Sequence, residues 1–179
     1  GLEEDAYGMR VMAEKLPELV IASSCSKNFG LYRERTGSIT FVTKNADDAK
    51  LVLGQAMSVA RQMYSMPPAH GALLVSLILG DEELRSEWTT ELEEVRLRIL
   101  SMRTLLTDSI QDNALGMDFS HIKRQKGMFS FLGVKPEHLV RLREEFGIYI
   151  VSSTRINLAG INSSNIKYLS DSIRTVLNG

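Results

Sequence analysis

The chain has 179 residues, 44% of them hydrophobic and 24% charged, so it can bury a core as one globular domain or two small ones and is neither disordered nor fibrous. Its 21 Lys and Arg against 22 Asp and Glu leave a formal charge of -1, and no global field draws it to nucleic acid or to an anionic membrane surface. A single cysteine, Cys25, excludes an intrachain disulfide framework and a Cys-based zinc cluster and suits a reducing compartment, the cytoplasm by default.

No run approaches the roughly 20 apolar residues of a membrane span, and the opening residues Gly1 to Asp5 are acidic rather than a basic leader. Gly1 in place of Met, running straight into a helical pattern over residues 3–15, reads as the start of a piece of a longer protein. Residues 19–24 form a short apolar run that breaks into small polar residues, the pattern of a buried strand ending at a loop. A second such run covers residues 37–43, and strands alternating with helices predict an α/β layer rather than a bundle. Asn45, with Asp48 three residues on, predicts the cap of a helix that reaches Tyr64, where Pro67 and Pro68 forbid continuation.

Asp81 predicts the cap of a long helix. In it Leu84, Trp88, Leu92, Val95, Ile99, Met102 and Leu106 recur at three- and four-residue steps, an apolar stripe that needs another surface over it. A domain boundary is expected within this helix, near residue 95. Beyond Gly116 the texture changes to short strands and capped helices. Residues 128–132 are strand-like, and the helix that follows carries Pro136 in its first turn and Gly147 just past its end. Two further short strands, 148–151 and 155–158, lead to a last helix from about Ser163, striped by Ile166, Leu169, Ile173 and Leu177.

The most informative stretch is Ser24-Cys25-Ser26-Lys27-Asn28-Phe29-Gly30-Leu31-Tyr32-Arg33-Glu34-Arg35-Thr36-Gly37, just after the carboxyl end of the first strand. In open α/β sheets ligands sit at that edge. A lysine ringed by hydroxyls, two glycines and Arg35 suits an aldehyde that also carries a phosphate. Lys27 supplies the amine for a Schiff base; Ser24 and Arg35 supply phosphate donors, the arginine fork matching a phosphate in two-pronged fashion. Gly30 and Gly37 are expected to let the backbone approach closely. Composition alone also permits a plain solvated turn. His70, His121 and His138 show no metal-ligand spacing with one another or with Cys25, so no metal is expected and structural or surface roles are. Cys25 reads as a small buried side chain, Met57, Met63 and Met66 as packing, and Lys123, Arg124 and Lys126 as a solvated basic turn.

The string Ser-x-Ser-Lys-Asn-x-Gly-Leu-Tyr-x-Glu-Arg-x-Gly closely resembles the lysine signature of class I pyridoxal-phosphate-dependent aminotransferases, specifically the aspartate and aromatic amino acid subgroup. The segment from Arg61 to Gly71 resembles the part of that family that reaches into a neighbouring subunit's active site. Gln125 to Phe131, Leu142 to Tyr149 and Ser153 to Gly160 resemble its small domain, so that the likeness covers essentially the whole chain. It implies the C-terminal part of a fold-type I transferase: residues 1–95 as the end of the large cofactor-binding domain and its sheet, and residues 96–179 as a small α+β domain.

It further implies pyridoxal 5'-phosphate held covalently by Lys27, with Ser24, Ser26, Arg35 and a neighbouring subunit's Ser65 around the cofactor. Arg155 would take the substrate's α-carboxylate, and Arg61 the distal carboxylate of aspartate or glutamate across a homodimer with shared active sites. The activity implied is transfer of an amino group from aspartate, or from an aromatic amino acid, to 2-oxoglutarate, with amino acids and 2-oxo acids as partners.

Two residues depart from the family pattern: Thr154 stands where glycine is usual, and Met66 where a polar residue is common. Both bear on specificity rather than reaction type. In the family the carboxylate on the pyridine nitrogen, the ring stacked on the cofactor and part of the phosphate cup precede the region matched here. The chain alone is therefore expected to be inactive, and the alternative is a truncated remnant that folds or dimerises without turnover.

Overall fold

The computed structural model describes residues 1–111 and 117–179; Gly116, where the texture of the sequence changes, lies outside them. The chain divides into two compact units, Gly1–Leu92 and Glu93–Gly179.

In the first unit, α1 (Leu2–Lys15) opens with Glu3, Glu4 and Asp5 and ends with Lys15, charges placed to suit the helix dipole. Strands β1 (Leu19–Ser24) and β2 (Gly37–Val42) pair antiparallel from Leu19 opposite Val42 to Ser24 opposite Gly37, a two-stranded sheet with the lysine loop at its closed end. The expectation of buried strands is corrected: Val20 and Ile39 are each 59% exposed, while Leu19 and Ile21, on the opposite face, are half-buried. Helix α2 (Ala46–Tyr64) is capped by Asn45, whose side chain accepts from the amides of Asp47 and Asp48 and donates to Asp48 at 2.8 Å. It stops at Ser65, which has φ 63, two residues before the proline pair.

Helix α3 (His70–Gly80) is absent from the elements the sequence predicts. Its run of apolar residues has no amphipathic period to mark it as helical, and Leu73 and Leu77 lie exposed. Met57, Met63 and Met66 are exposed as well, so in this unit they are not packing residues.

Helix α4 (Glu82–Ile110) begins where Asp81 accepts from the Leu84 amide at 3.0 Å. Its stripe sinks along its length: Leu84, Trp88 and Leu92 are half-buried, Val95 is exposed, and Ile99 and Leu106 are buried.

The second unit is built on that buried end. Ile99, Leu106 and Ile110 pack in one cluster with Ile122, Leu132, Leu142, Leu158, Ile173 and Val176. Helix α5 (Ser120–Arg124) replaces the expected basic turn, with Lys123 paired to Asp108. Strand β3 (Phe129–Phe131) pairs antiparallel with β4 (Arg155–Asn157). Between them α6 (Pro136–Phe146) starts on its proline and ends at Gly147 in the left-handed conformation, as the sequence predicts. After a short 3-10 turn, Leu158–Gly160, α7 (Ile166–Asn178) packs on α6; the Tyr168 hydroxyl donates to the Phe146 carbonyl at 2.7 Å.

Residues 148–151, expected as a strand, run as irregular chain with no ladder partner among the described residues. The Ile148 amide instead closes the end of α6 on Leu142, and the Val151 carbonyl accepts from Thr154. Leu158 belongs to the 3-10 turn rather than to β4, and the last helix begins at Ile166, after a turn in which Asn162 accepts from the amides of Ser164 and Asn165. Among the described residues no helix is long and apolar enough to cross a membrane.

Candidate active site

The lysine loop is tied at its base, its tip and its return. At the base the Cys25 amide donates to Thr36 at 3.0 Å, extending the β1–β2 ladder by one bond. Ser24 and Ser26 share a hydroxyl-to-hydroxyl bond of 3.0 Å, and the Ser26 amide donates to the Ser24 hydroxyl. Gly37 is required there, since a Cβ would meet the Ser23 carbonyl at 2.3 Å; at Gly30 a Cβ would meet open space, and the need is for its φ of +67. At the tip, residues 26–28 form a turn closed by Phe29 donating to Cys25 and Gly30 donating to Lys27, both at 3.3 Å. Trp88 of α4 stacks on Phe29, with centroids 4.6 Å apart, and its indole N–H donates to the Asn28 carbonyl at 2.8 Å. On the return, His70 lies 3.1 Å from the Glu34 carboxylate. Gly71 brings α3 so close that a Cβ would meet Thr36 Oγ1 at 2.0 Å.

Lys27 emerges exposed from this frame, its Nζ 5.3 Å from the centre of the Tyr32 ring. Arg35 has φ 52 and donates from Nη1 to the Tyr32 carbonyl at 2.9 Å. Ser26 is buried, Cys25 half-buried, and the side-chain oxygen of Asn28 is buried without a hydrogen-bond partner. One amine, two hydroxyls and a guanidinium on one short loop form a donor set that fits an aldehyde bearing a phosphate.

Arg61 and Ser65 sit at the C-terminal end of α2, both exposed, with the Ser65 amide donating to the Arg61 carbonyl at 3.1 Å. No bond joins them to the lysine loop among the described residues.

In the second unit, Arg155 opens β4 with its guanidinium 4.8 Å from the centre of the Phe129 ring, a cation-π contact across the β3–β4 pair. It borders a cleft of about 460 Å³ whose walls include Ile148, Ile150, Ile161 and Tyr168. Thr154, at φ 64, explains why glycine suits this position; its hydroxyl accepts from the Gly133 amide at 3.1 Å, which offsets part of the strain. The three non-glycine residues with positive φ among those described are Arg35, Ser65 and Thr154. Each is one of the singled-out residues or adjoins one, and strain of this kind concentrates at functional sites. Lys27, Arg35, Arg61 and Arg155 have no carboxylate partner among the described residues.

Arg103 was not foreseen. It is 1% exposed and donates to the carbonyls of Ile122 and Gly127 and to the Ser130 hydroxyl, and so fixes the turn that leads into Phe129. Burial pulls its guanidinium below the ordinary value. Its signal was spacing: four residues after Ile99 and three before Leu106, it falls on the apolar face of α4. The histidines serve locally: His121 Nε2 lies 2.9 Å from the Phe131 carbonyl, and the Lys135 amide meets His138 Nδ1 at 3.3 Å.

A lysine loop after a strand end and an unpaired arginine on a small-domain strand are features of one class of transferase, and the comparisons identify it. The sequence profile of aminotransferase class I and II matches residues 1–173, and the chain belongs to that family. It is 50% identical over 177 residues to an aspartate aminotransferase of Haemophilus influenzae, covering 99% of this chain and 45% of that protein. An aromatic-amino-acid aminotransferase of Pseudomonas aeruginosa is 44% identical over 176 residues, 98% of this chain and 44% of that protein. The crystal structure of an aromatic-amino-acid aminotransferase from Burkholderia pseudomallei, covalently bound to pyridoxal phosphate, matches with a TM-score of 0.92 at 42% identity, over 99% of this chain and 44% of that one. The chain thus spans about 45% of the length of the curated relatives it matches.

Proposed function

We propose that this chain provides the lysine loop and small domain of a pyridoxal-phosphate-dependent aminotransferase that moves an amino group from aspartate, or from an aromatic amino acid, to 2-oxoglutarate. The observation that carries the reading is the lysine loop: an exposed primary amine without a carboxylate partner, on a turn tied down at both ends, beside two hydroxyls and an arginine. A tied loop presents its nucleophile at nearly fixed position, which lowers the entropy cost of bringing amine and aldehyde together.

In this reading Lys27 holds the cofactor covalently, while Ser24 and Arg35 hold its phosphate with Ser65 of a second copy and Ser26 lies beside the cofactor. Pyridoxal phosphate, when bound, supplies an aldehyde carbon to carry the amino group and a ring that draws electrons from the substrate's Cα. Arg155 orients the substrate through its α-carboxylate, with Phe129 flanking the guanidinium. Arg61 of the second copy selects a distal carboxylate. The freed Lys27 amine then takes the proton from Cα and returns it on the other side of the transfer. The shared residues make the working form a homodimer, and the single reduced cysteine suits the cytoplasm.

For the isolated chain, a remnant that folds or dimerises without turnover is the second reading, favoured by the apolar side chains that the first unit leaves exposed and that a second surface would cover, Val20, Ile39, Leu53 and Leu77 among them. The test is reductive trapping. The full-length gene product, incubated with pyridoxal phosphate and reduced with borohydride, should carry the label on Lys27 and show a visible absorbance band that Lys27→Ala abolishes, with transamination falling by about a thousandfold or more. A label on another side chain, or none, would sink the assignment.

A further inference from the structure

Trp88 lies sixty positions from the lysine loop in sequence, and its placement on the α4 stripe accounts for it only as packing. Its contacts are more specific than packing. The indole N–H, the one polar group of the ring, is directed at a single backbone carbonyl, that of Asn28, the residue that follows Lys27. The ring lies nearly parallel to Phe29, with an interplanar angle of 11°. The Asn28 side-chain oxygen is buried without a partner, so the bond from Trp88 is the polar tie that this residue has to a distant element. Tryptophan occurs once in the chain, and it is spent here.

We infer that Trp88 is a positioning residue for Lys27. This rests on the reading of Lys27 as the amine that condenses with an aldehyde. The two ties hold Asn28 and Phe29 against α4, and the Phe29 and Gly30 amides close back on Cys25 and Lys27. Backbone on both sides of Lys27 is therefore fixed, by the Cys25–Thr36 ladder bond before it and by Trp88 after it. Without the second anchor the tip keeps only bonds within the loop itself, the two 3.3 Å turn bonds and those of Ser26 to Ser24 and of Tyr32 to Gly30 among them, and the lysine side chain starts from a wider spread of backbone directions. The step it serves is simple in balance: the amine nitrogen bonds to the aldehyde carbon, the carbonyl oxygen leaves as water, and no oxidant or reductant takes part. Trp88 touches none of the reacting atoms and acts through backbone geometry.

The experiment uses the full-length gene product with pyridoxal phosphate as probe, following the rate of the lysine-dependent absorbance band and locating the borohydride-fixed label by peptide mass. Trp88→Phe keeps an aromatic ring against Phe29 and deletes the N–H donor. It should slow labelling of Lys27 by about tenfold, the equivalent of one hydrogen bond, and lower the thermal midpoint of the folded protein by no more than a few degrees. Phe29→Leu breaks the stack from the loop side and keeps the N–H bond; a slowing of about threefold is expected, and this variant decides the matter should Trp88→Phe not fold. Labelling of Lys27 at the wild-type rate in a folded variant overturns the role given to Trp88 while leaving Lys27 in place. Wild-type protein that takes no label on Lys27 overturns the underlying reading, and this inference with it.

Discussion

The two units bury their apolar residues to opposite degrees. In Glu93–Gly179 the stripes of α4, α6 and α7 meet over two short strands, and Leu106, Ile110, Ile122, Leu132 and Leu158 are fully buried. In Gly1–Leu92, Ser26 and Gly71 are the buried residues among those described, while Val20, Ile39, Leu51, Leu53, Leu73 and Leu77 face outward. The first unit's order is concentrated instead in hydrogen bonds and close contacts around the lysine loop. One region is organised by a core and the other by a site, and a two-stranded sheet is marginal by itself. The difference teaches that the burial expected of a strand depends on partners the local sequence does not contain.

The sharpest way to break this comparison is to remove one leucine from each side. Leu106→Ala should cost about 3–5 kcal/mol in denaturant unfolding of the second unit, since a fully buried side chain leaves a cavity. Leu53→Ala, at a side chain 59% exposed, should stay within about 0.5 kcal/mol in the same chain. Equal losses would show that the first unit has a core of its own.

A smaller effect tests strain inside the well-packed unit. Thr154→Val keeps a β-branched residue at φ 64 but removes the acceptor for the Gly133 amide, so it should destabilise by about 1–2 kcal/mol by calorimetry. Thr154→Gly relieves the strain and loses the same bond, and should fall within about 1 kcal/mol of the native chain. A valine variant as stable as the native would remove the hydroxyl from the account.

The smallest effect is acid sensitivity, followed here in the second unit. Hydrogen bonds from Lys167 and then Arg174 hold the Asp171 carboxyl below its ordinary value, and a hydrogen bond from Arg141 does the same for Glu145. The Ser120 amide, and then its hydroxyl, lower Asp118. A carboxyl whose value is depressed on folding adds stability above its unfolded value, and loses it as the pH falls through the folded one. Unfolding midpoints of the second unit should therefore drop slightly as the pH is lowered below about 4, and Asp171→Asn should flatten part of that slope. A midpoint unchanged between pH 6 and 3 would contradict it.

Much of this protein is determined locally and is readable from the residues alone. Asn45 and Asp81 cap their helices because their side chains reach amides two or three residues on, Pro136 and Gly147 bracket α6 through their own backbone preferences, and the spacing around Lys27 identifies the family. Contacts within a few residues need nothing from the rest of the chain.

What only the tertiary structure decided is the set of outcomes that depend on distant partners. Residues 148–151 carry a strand's composition but find no neighbouring strand to bond among the described residues, α3 is helical without an amphipathic period to announce it, and Arg103 is a cation whose Nη1 and Nη2 are held by carbonyls that fold around it from residues 122–129. Trp88 belongs here as well. Periodicity places it on an apolar stripe, but that its N–H meets the carbonyl beside Lys27 follows from how the loop and α4 come together, and no local rule of sequence encodes that meeting.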